Sequence, residues 1–327
     1  MKFNCEINLE LTQESGQTSQ SPWQVENNSY CAMVEIATTP ILIKVKQEDI
    51  SYLNLEYELP IASQNTPIGD EAIENASIDE VAIENEVARI FDLDFNIDKF
   101  YSYLAEDEKL EQATSFCRGL RLFLAKNPFE AIVSSIVSAN NSIARWTKSI
   151  AKIRKKWGTS VDFPSGTFYR FPSPSVLMSV YEDDFEEYEA FGKSIEIECC
   201  RTNLKACGVG YRAPYMKKSS ELLVIEEYLH ELANMKYEEA FETISTLPGV
   251  GPKVADCILL YGYGFREAFP SDVWIKRIVS HLYFNDKDIS VDKVRNFGME
   301  QFGDYSGYAQ LYLFHYARKS GLMKKLK

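Results

Sequence analysis

The sequence has no stretch approaching the roughly twenty consecutive apolar residues that cross a bilayer. Its opening, Met1-Lys2-Phe3-Asn4-Cys5-Glu6, lacks the apolar core of a secretory signal. Those absences argue against a membrane-spanning or exported chain, so the protein is expected to stay in the cytoplasm, where it is made. A paired cysteine framework is missing too: the seven cysteines, Cys5, Cys31, Cys117, Cys199, Cys200, Cys207 and Cys257, form an odd, irregularly spaced set. This argues against a disulfide scaffold and suits a reducing compartment. No internal repeat is present. What the chain does have is size and apolar content: 327 residues, 45% of them hydrophobic, suffice for two or three packed layers or domains with a real core.

An excess of basic charge is also lacking, since the formal net charge is −13. The deficit is local. Residues 1–110 hold 22 acidic and 6 basic residues, leaving 26 acidic against 29 basic in residues 111–327. Within that second part, Ala144–Gly158 carries Arg145, Lys148, Lys152, Arg154, Lys155 and Lys156 without one acid. Arg201–Lys218 carries Arg201, Lys205, Arg212, Lys217 and Lys218, again without acid, and the C-terminus ends Arg318-Lys319 and Lys324-Lys325-Leu326-Lys327. Any one run could be a solvated helix face; local basic patches also steer toward phosphates even on an acidic chain.

Segments Lys2–Leu11, Cys31–Ala37, Ile41–Gln47 and Tyr52–Leu59 alternate or run apolar between Ser, Asn, Pro and Thr clusters. Their β-branched and aromatic content predicts a small antiparallel sheet. Residues 61–80 are polar and acidic and read as an exposed loop, with helical patterning starting near Val81. Beyond about residue 100 the helical period dominates, over Pro128–Asn140, Ser142–Trp157, Ser173–Tyr181, Glu182–Ala206, Tyr215–Asn234, Tyr237–Thr246, Pro252–Tyr263 and Asp272–Leu282. The expected fold class is α+β: an N-terminal antiparallel sheet domain with its acidic loop over residues 1–100, and a mainly helical domain over 101–327.

The most informative stretch is Leu247-Pro248-Gly249-Val250-Gly251-Pro252-Lys253. Two closely spaced glycines end one helix and open the next, over about 241–263, so the hairpin of Gly249, Val250 and Gly251 turns backbone amides outward as a phosphate or cation cradle. Lys253 sits in the first turn of the second helix, where the dipole disfavours a protonated amine and is expected to lower its pKa. Asp272 precedes the apolar run Ile275, Ile278, Val279 and Leu282 and reads as an N-cap or as a carboxylate aimed into a cleft.

The hairpin, lysine and following aspartate resemble the helix-hairpin-helix base-excision DNA glycosylases, most closely the 8-oxoguanine DNA glycosylase/AP lyase branch, over roughly residues 90–320. The resemblance implies a lysine nucleophile, Lys253, and an electrostatic partner, Asp272. It also assigns roles to motifs that alone read blandly. Asn140 and Asn141 between two helices could be only caps, but the family's asparagine here fills the hole left by a flipped nucleotide, and its arginine, matched by Arg145, contacts the orphaned cytosine. In Gly208-Val209-Gly210-Tyr211-Arg212-Ala213, a core tyrosine and a surface ion pair are the plain alternative. The resemblance makes Tyr211 a wedge and Arg212 a second reader of cytosine.

Cys257 shares a helix face with Lys253, and Gln310 shares one with Phe314. By resemblance Gln310 meets the damaged base's Watson–Crick edge and Phe314 stacks on it opposite Cys257, whereas alone these would read as core residues. The family's carbonyl that accepts the N7 proton of 8-oxoguanine belongs to a glycine in Ser-Gly-Gln-x-Phe-x-Trp. Here the match is Gly16 in Ser15-Gly16-Gln17-Thr18-Ser19-Gln20-Ser21-Pro22-Trp23, without the phenylalanine and with two extra residues. Trp274 stands where eukaryotic relatives carry histidine.

The activity this resemblance implies is excision of 8-oxoguanine opposite cytosine from duplex DNA by base flipping, attack at C1′, a Schiff base and β-elimination. A monomer acting on double-stranded DNA is expected. No cofactor and no metal-ligand side chains are implied, with room for a monovalent or divalent cation between hairpin carbonyls and a DNA phosphate. Two alternatives stand beside it. One is an endonuclease III-like glycosylase for another base, although no cysteine follows Asp272 to hold an iron–sulfur cluster. The other is a non-catalytic hairpin module that binds kinked duplex.

Overall fold

The structure is a computed structural model that describes residues 1–61, 79–182, 203–225 and 227–322. The acidic 61–80 stretch and the helix expected over Glu182–Ala206 lie largely outside those residues. Five strands, β1 (Lys2–Asn4), β2 (Gln24–Glu26), β3 (Ser29–Ile36), β4 (Thr39–Lys46) and β5 (Tyr52–Glu58), form an antiparallel sheet in the order β1-β5-β4-β3-β2. The strand expected over Lys2–Leu11 stops early. Asn8 accepts from the Leu11 N–H at 2.9 Å and caps helix α1 (Leu9–Glu14), a local signal stronger than the apolar alternation.

Both faces of the sheet are covered. Ile41, Ile43 and Val45 alternate onto one face, packed with Ile83, Val87 and Ile90 of α2 (Glu80–Ile90) and with Trp23, Phe91 and Phe123. Leu42, Met33 and Cys31 face the other way, onto Val161, Phe163 and Phe168 of a hairpin, β6 (Ser160–Phe163) and β7 (Gly166–Tyr169), that the sequence pattern does not announce.

The rest is helical: α3 (Ile97–Leu104), α4 (Glu111–Phe116), α5 (Pro128–Ser138), α6 (Ile143–Trp157), α7 (Pro174–Ser179), α8 (Ala213–Leu222), α9 (Glu227–Leu232), α10 (Tyr237–Ser245), α11 (Pro252–Cys257), α12 (Val273–Tyr283), α13 (Val291–Phe302) and α14 (Ser306–Lys319). The single helix expected over Tyr215–Asn234 divides into α8 and α9 where the β-branched, exposed Val224 and Ile225 follow the buried Leu223. The helix expected over Pro252–Tyr263 changes to π geometry over Ile258–Tyr263 and ends at Gly264, φ +80°. One apolar core holding Trp146, Phe269, Tyr308 and Tyr312 unites these helices.

Two polar features join sheet and helices. Asp92, left-handed at φ +49°, accepts from Tyr308 Oη at 2.8 Å and pairs with Arg266, while its carbonyl accepts from Arg121 at 2.7 Å. The polar run Gln17–Gln20 is buried, because its side chains serve the main chain of residues 121–124. Gln17 bonds the Arg121 carbonyl and the Phe123 N–H, and Gln20 donates to the Leu124 carbonyl at 2.7 Å.

Candidate active site and DNA-facing surface

Leu247 and Val250 are buried, and the Val250 N–H bonds the Leu247 carbonyl at 3.1 Å, closing a tight turn between α10 and α11. Gly249 holds φ +83°, and a Cβ there would meet the Tyr215 ring at 2.9 Å. Only glycine suits both constraints. Gly251 differs: it is exposed, its φ is −93°, and a Cβ would meet nothing within 4 Å. No steric constraint among the described residues requires glycine there.

Pro252 occupies the first turn of α11, which places Lys253 just inside the helix, half-buried. One turn on, the buried Cys257 lies beside the lysine. Burial pushes the Cys257 thiol up, against the opposing pull of the neighbouring Lys253. For Lys253 the expectation from the helix dipole is overturned. Burial does pull its pKa down, but Cys257 and the Asp272 carboxylate outweigh that, and the ammonium is held above the ordinary lysine value. A full charge near the amine exceeds the half-charge of a helix end.

Asp272 is both things the sequence allowed. Its Oδ1 accepts from the N–H groups of Trp274 and Ile275 at 2.8 and 3.0 Å, capping α12, while its charge acts on Lys253. Asp256, one residue before Cys257, anchors the helix from behind. It accepts from Arg295 Nε at 2.6 Å and from Tyr237 Oη at 2.6 Å, tying α11 to α13 and α10. No local pattern marks this buried carboxylate, whose partners are 19 and 39 residues away.

Gln310 and Phe314 lie on α14. Gln310 is buried, with its Nε2 donating to the Pro270 carbonyl at 2.9 Å and its Oε1 accepting from Tyr261 Oη at 3.0 Å. Pro270 lies two residues before Asp272, so these bonds fix the glutamine against the segment that carries the carboxylate. Phe314 is half-buried, and the Arg318 guanidinium lies 5.3 Å from its ring centroid. Gly16 joins the group from the other end of the chain: at φ +84°, it would carry a Cβ into the Ile143 side chain and to 2.6 Å from Arg318 Nη1. Gly16 therefore packs between the start of α6 and the end of α14.

The second cluster flanks the hairpin. Asn140 is left-handed at φ +50° in the turn between α5 and α6 and exposed, and Arg145 is exposed in the first turn of α6. Tyr211 is exposed, edge-on to Tyr215 at 6.4 Å, with the Arg212 guanidinium 4.4 Å from its ring. Arg212 itself is buried and donates to the carbonyls of Ala139 (Nε, 2.8 Å), Val209 (3.1 Å) and Asn140 (3.1 Å). It clamps the backbone that presents Asn140. Tyr215 links the two regions, lying against Gly249 of the hairpin and meeting Tyr211, whose neighbour Arg212 holds the Asn140 turn. Of the basic run on α6, Arg145, Lys148, Lys152, Lys155 and Lys156 reach solvent, whereas Arg154 turns inward to the buried Glu130, which also pairs with Lys126 at 3.3 Å.

Among the described residues no cluster of metal-ligating side chains occurs. Residues 2–132 match the family model for the 8-oxoguanine DNA glycosylase N-terminal domain, and residues 133–303 match that of the HhH-GPD superfamily of base excision DNA repair proteins. A protein of Methanothermobacter thermautotrophicus described as "Probable N-glycosylase/DNA lyase" is 40% identical over 98% of this chain and 97% of its own length. The Clostridium acetobutylicum 8-oxoguanine glycosylase/lyase, solved with duplex DNA containing cytosine opposite the lesion, is 27% identical with a TM-score of 0.72, covering 97% and 93% of the two chains. A 3-methyladenine DNA glycosylase from Archaeoglobus fulgidus, 23% identical, shares the fold at a TM-score of 0.73, covering 98% and 99%.

Proposed function

Since this chain belongs to the HhH-GPD superfamily of base excision DNA repair proteins, we propose that it is a DNA glycosylase and AP lyase that removes 8-oxoguanine opposite cytosine from duplex DNA. The observation that carries this reading is the convergence of Lys253, Cys257 and Asp272 beside the hairpin. Binding duplex needs only the hairpin; a lysine paired with a carboxylate is chemistry. The similarity to the Clostridium enzyme supports 8-oxoguanine as substrate.

In this reading Gly249, Val250 and Gly251 receive a phosphate of the damaged strand, and the hairpin carbonyls would hold a monovalent or divalent cation that offsets the phosphate charge. Asn140 fills the vacated stack, Tyr211 wedges the kink and Arg145 holds the orphaned cytosine, while Arg212, its guanidinium committed to the carbonyls of Ala139, Val209 and Asn140, braces the turn that presents Asn140 rather than reading the base as the resemblance implied. The extruded base lies between Cys257 and Phe314, with Gln310 at its Watson–Crick edge and the Gly16 carbonyl at its N7 proton. Lys253, after shedding a proton, attacks C1′. The bond to the base nitrogen breaks and the base leaves with the electron pair, taking up a proton. Opening of the sugar then gives the imine, and loss of a C2′ proton expels the 3′ phosphate. Asp272 stabilises the positive charge that develops on the sugar. The enzyme acts as a monomer in the compartment holding the DNA; no helix among the described residues is long and apolar enough to cross a membrane.

The test is borohydride trapping on a duplex with one 8-oxoguanine opposite cytosine. A covalent adduct is expected in the wild type and none in Lys253→Gln. Binding without an adduct in either protein would favour a monofunctional enzyme or a silent DNA-binding module instead.

A further inference from the structure

Among the described residues, Arg318 is a pocket-side cation that the mechanism leaves unused. It projects from α14 one turn beyond Phe314 and lies over that ring, and its Nη2 donates to the Glu14 carbonyl at 3.1 Å. Its Nη1 is sealed from solvent and has no hydrogen-bond partner among the described residues. That same atom is the one a Cβ on Gly16 would strike, and the guanidinium also acts electrostatically on Tyr261, the partner of Gln310. One arm of the guanidinium, Nη1, is thus held without an acceptor amid Gly16, Phe314 and the Tyr261–Gln310 pair. A buried, unpaired charged donor is costly, and a ligand that supplies an acceptor recovers that cost on binding.

We propose that Arg318 is a further specificity-determining residue, donating from Nη1 to the C8 carbonyl oxygen of the extruded purine. This rests on the base-excision reading above. Oxidation changes guanine at two adjacent ring positions, N7, which gains a proton, and C8, which gains an oxygen. With the Gly16 carbonyl at N7, a donor packed against Gly16 falls beside C8. Guanine offers only a C–H there, so Nη1 stays unpaired with the normal base and forms a charge-assisted hydrogen bond with the oxidised one. Glycine at position 16 suits both its φ of +84° and the seating of this guanidinium, which a Cβ there would displace.

The experiment compares wild type with Arg318→Met, which keeps an apolar stem over Phe314, in single-turnover assays on 8-oxoguanine, on 8-aminoguanine and on a preformed abasic site. The variant is expected to lose roughly 10- to 100-fold on 8-oxoguanine, the range for losing a charge-assisted bond. Abasic incision, which involves no base, should stay within about threefold, and the preference for 8-oxoguanine over 8-aminoguanine, whose C8 group donates rather than accepts, should fall about tenfold. Equal losses on both bases would overturn the C8 contact. A parallel loss of abasic incision would reduce Arg318 to a brace for the Gly16 turn. A wild type that neither excises nor incises would overturn the base-excision reading itself, an outcome distinct from both.

Discussion

Asp272 shows how one side chain serves both folding and chemistry. Its Oδ1 caps α12 through two N–H bonds, while its charge helps hold the Lys253 ammonium above the usual lysine range. The two roles separate by substitution. Asp272→Asn keeps an acceptor for the cap and should leave urea stability within about 0.5 kcal/mol, whereas Asp272→Ala should cost about 1 kcal/mol. Both should lower single-turnover excision by about 10²–10³-fold, the scale of a lost electrostatic stabiliser. The pH dependence carries a sign. Because the Lys253 pKa is raised, the reactive amine fraction grows with pH, so trapping of wild type should climb through the alkaline range. Removing the carboxylate lets that pKa fall, and the climb in Asp272→Asn should begin at lower pH; an unmoved profile would show that Asp272 does not set the lysine's proton affinity.

The hairpin makes its own prediction at the level of the element. Gly249 is required by the fold, since its φ of +83° and the Tyr215 ring leave no room for a Cβ. Gly249→Ala should therefore destabilise the free protein by at least about 1 kcal/mol and disturb the packing of Tyr215 on Tyr211. Gly251 is under no such demand, with φ −93° and open space around it. Gly251→Ala should leave thermal unfolding unchanged yet weaken duplex binding several-fold, because only an approaching phosphate would meet the added methyl. Unchanged affinity in Gly251→Ala would remove the hairpin from the DNA interface.

For the whole molecule, the acidic balance of −13 conceals a basic stripe on α6, from which Arg154 is withdrawn to pair with Glu130. Charge removal by Lys148→Ala and Lys152→Ala should weaken non-specific duplex binding and lower the slope of log affinity against log salt by about 0.9 for each phosphate no longer neutralised. Fold stability carries its own pH dependence. Burial, aided by Arg318 and Lys319, pushes His315 down to about 4. The unfolded chain, titrating near 6.5, takes a proton that the folded chain refuses, so stability present above that pH is lost as pH falls toward 4, by roughly 3 kcal/mol. His315→Phe, placed beside Phe116, should flatten the melting temperature across that window.

The sequence by itself determined the local devices: the glycine hairpin, the helix opened by Pro252 with Lys253 in its first turn, the N-cap at Asp272, and the alternating strands β3 to β5. Each is encoded in a few neighbouring residues whose backbone preferences and periodicity need no distant partner. It also carried the α+β architecture, because a sheet period gives way to a helical one along the chain. Only the tertiary structure decided what depends on approach between remote segments. The Lys253 pKa runs against the dipole argument because Asp272 comes near it. Arg212 spends its donors on carbonyls 73 and 72 residues away rather than standing free. The polar run at Gln17–Gln20 is interior because the main chain of residues 121–124 lies against it, and that packing brings Gly16 to Arg318. Electrostatic fields and buried hydrogen bonds depend on distance in space, and a linear pattern fixes distance only within an element.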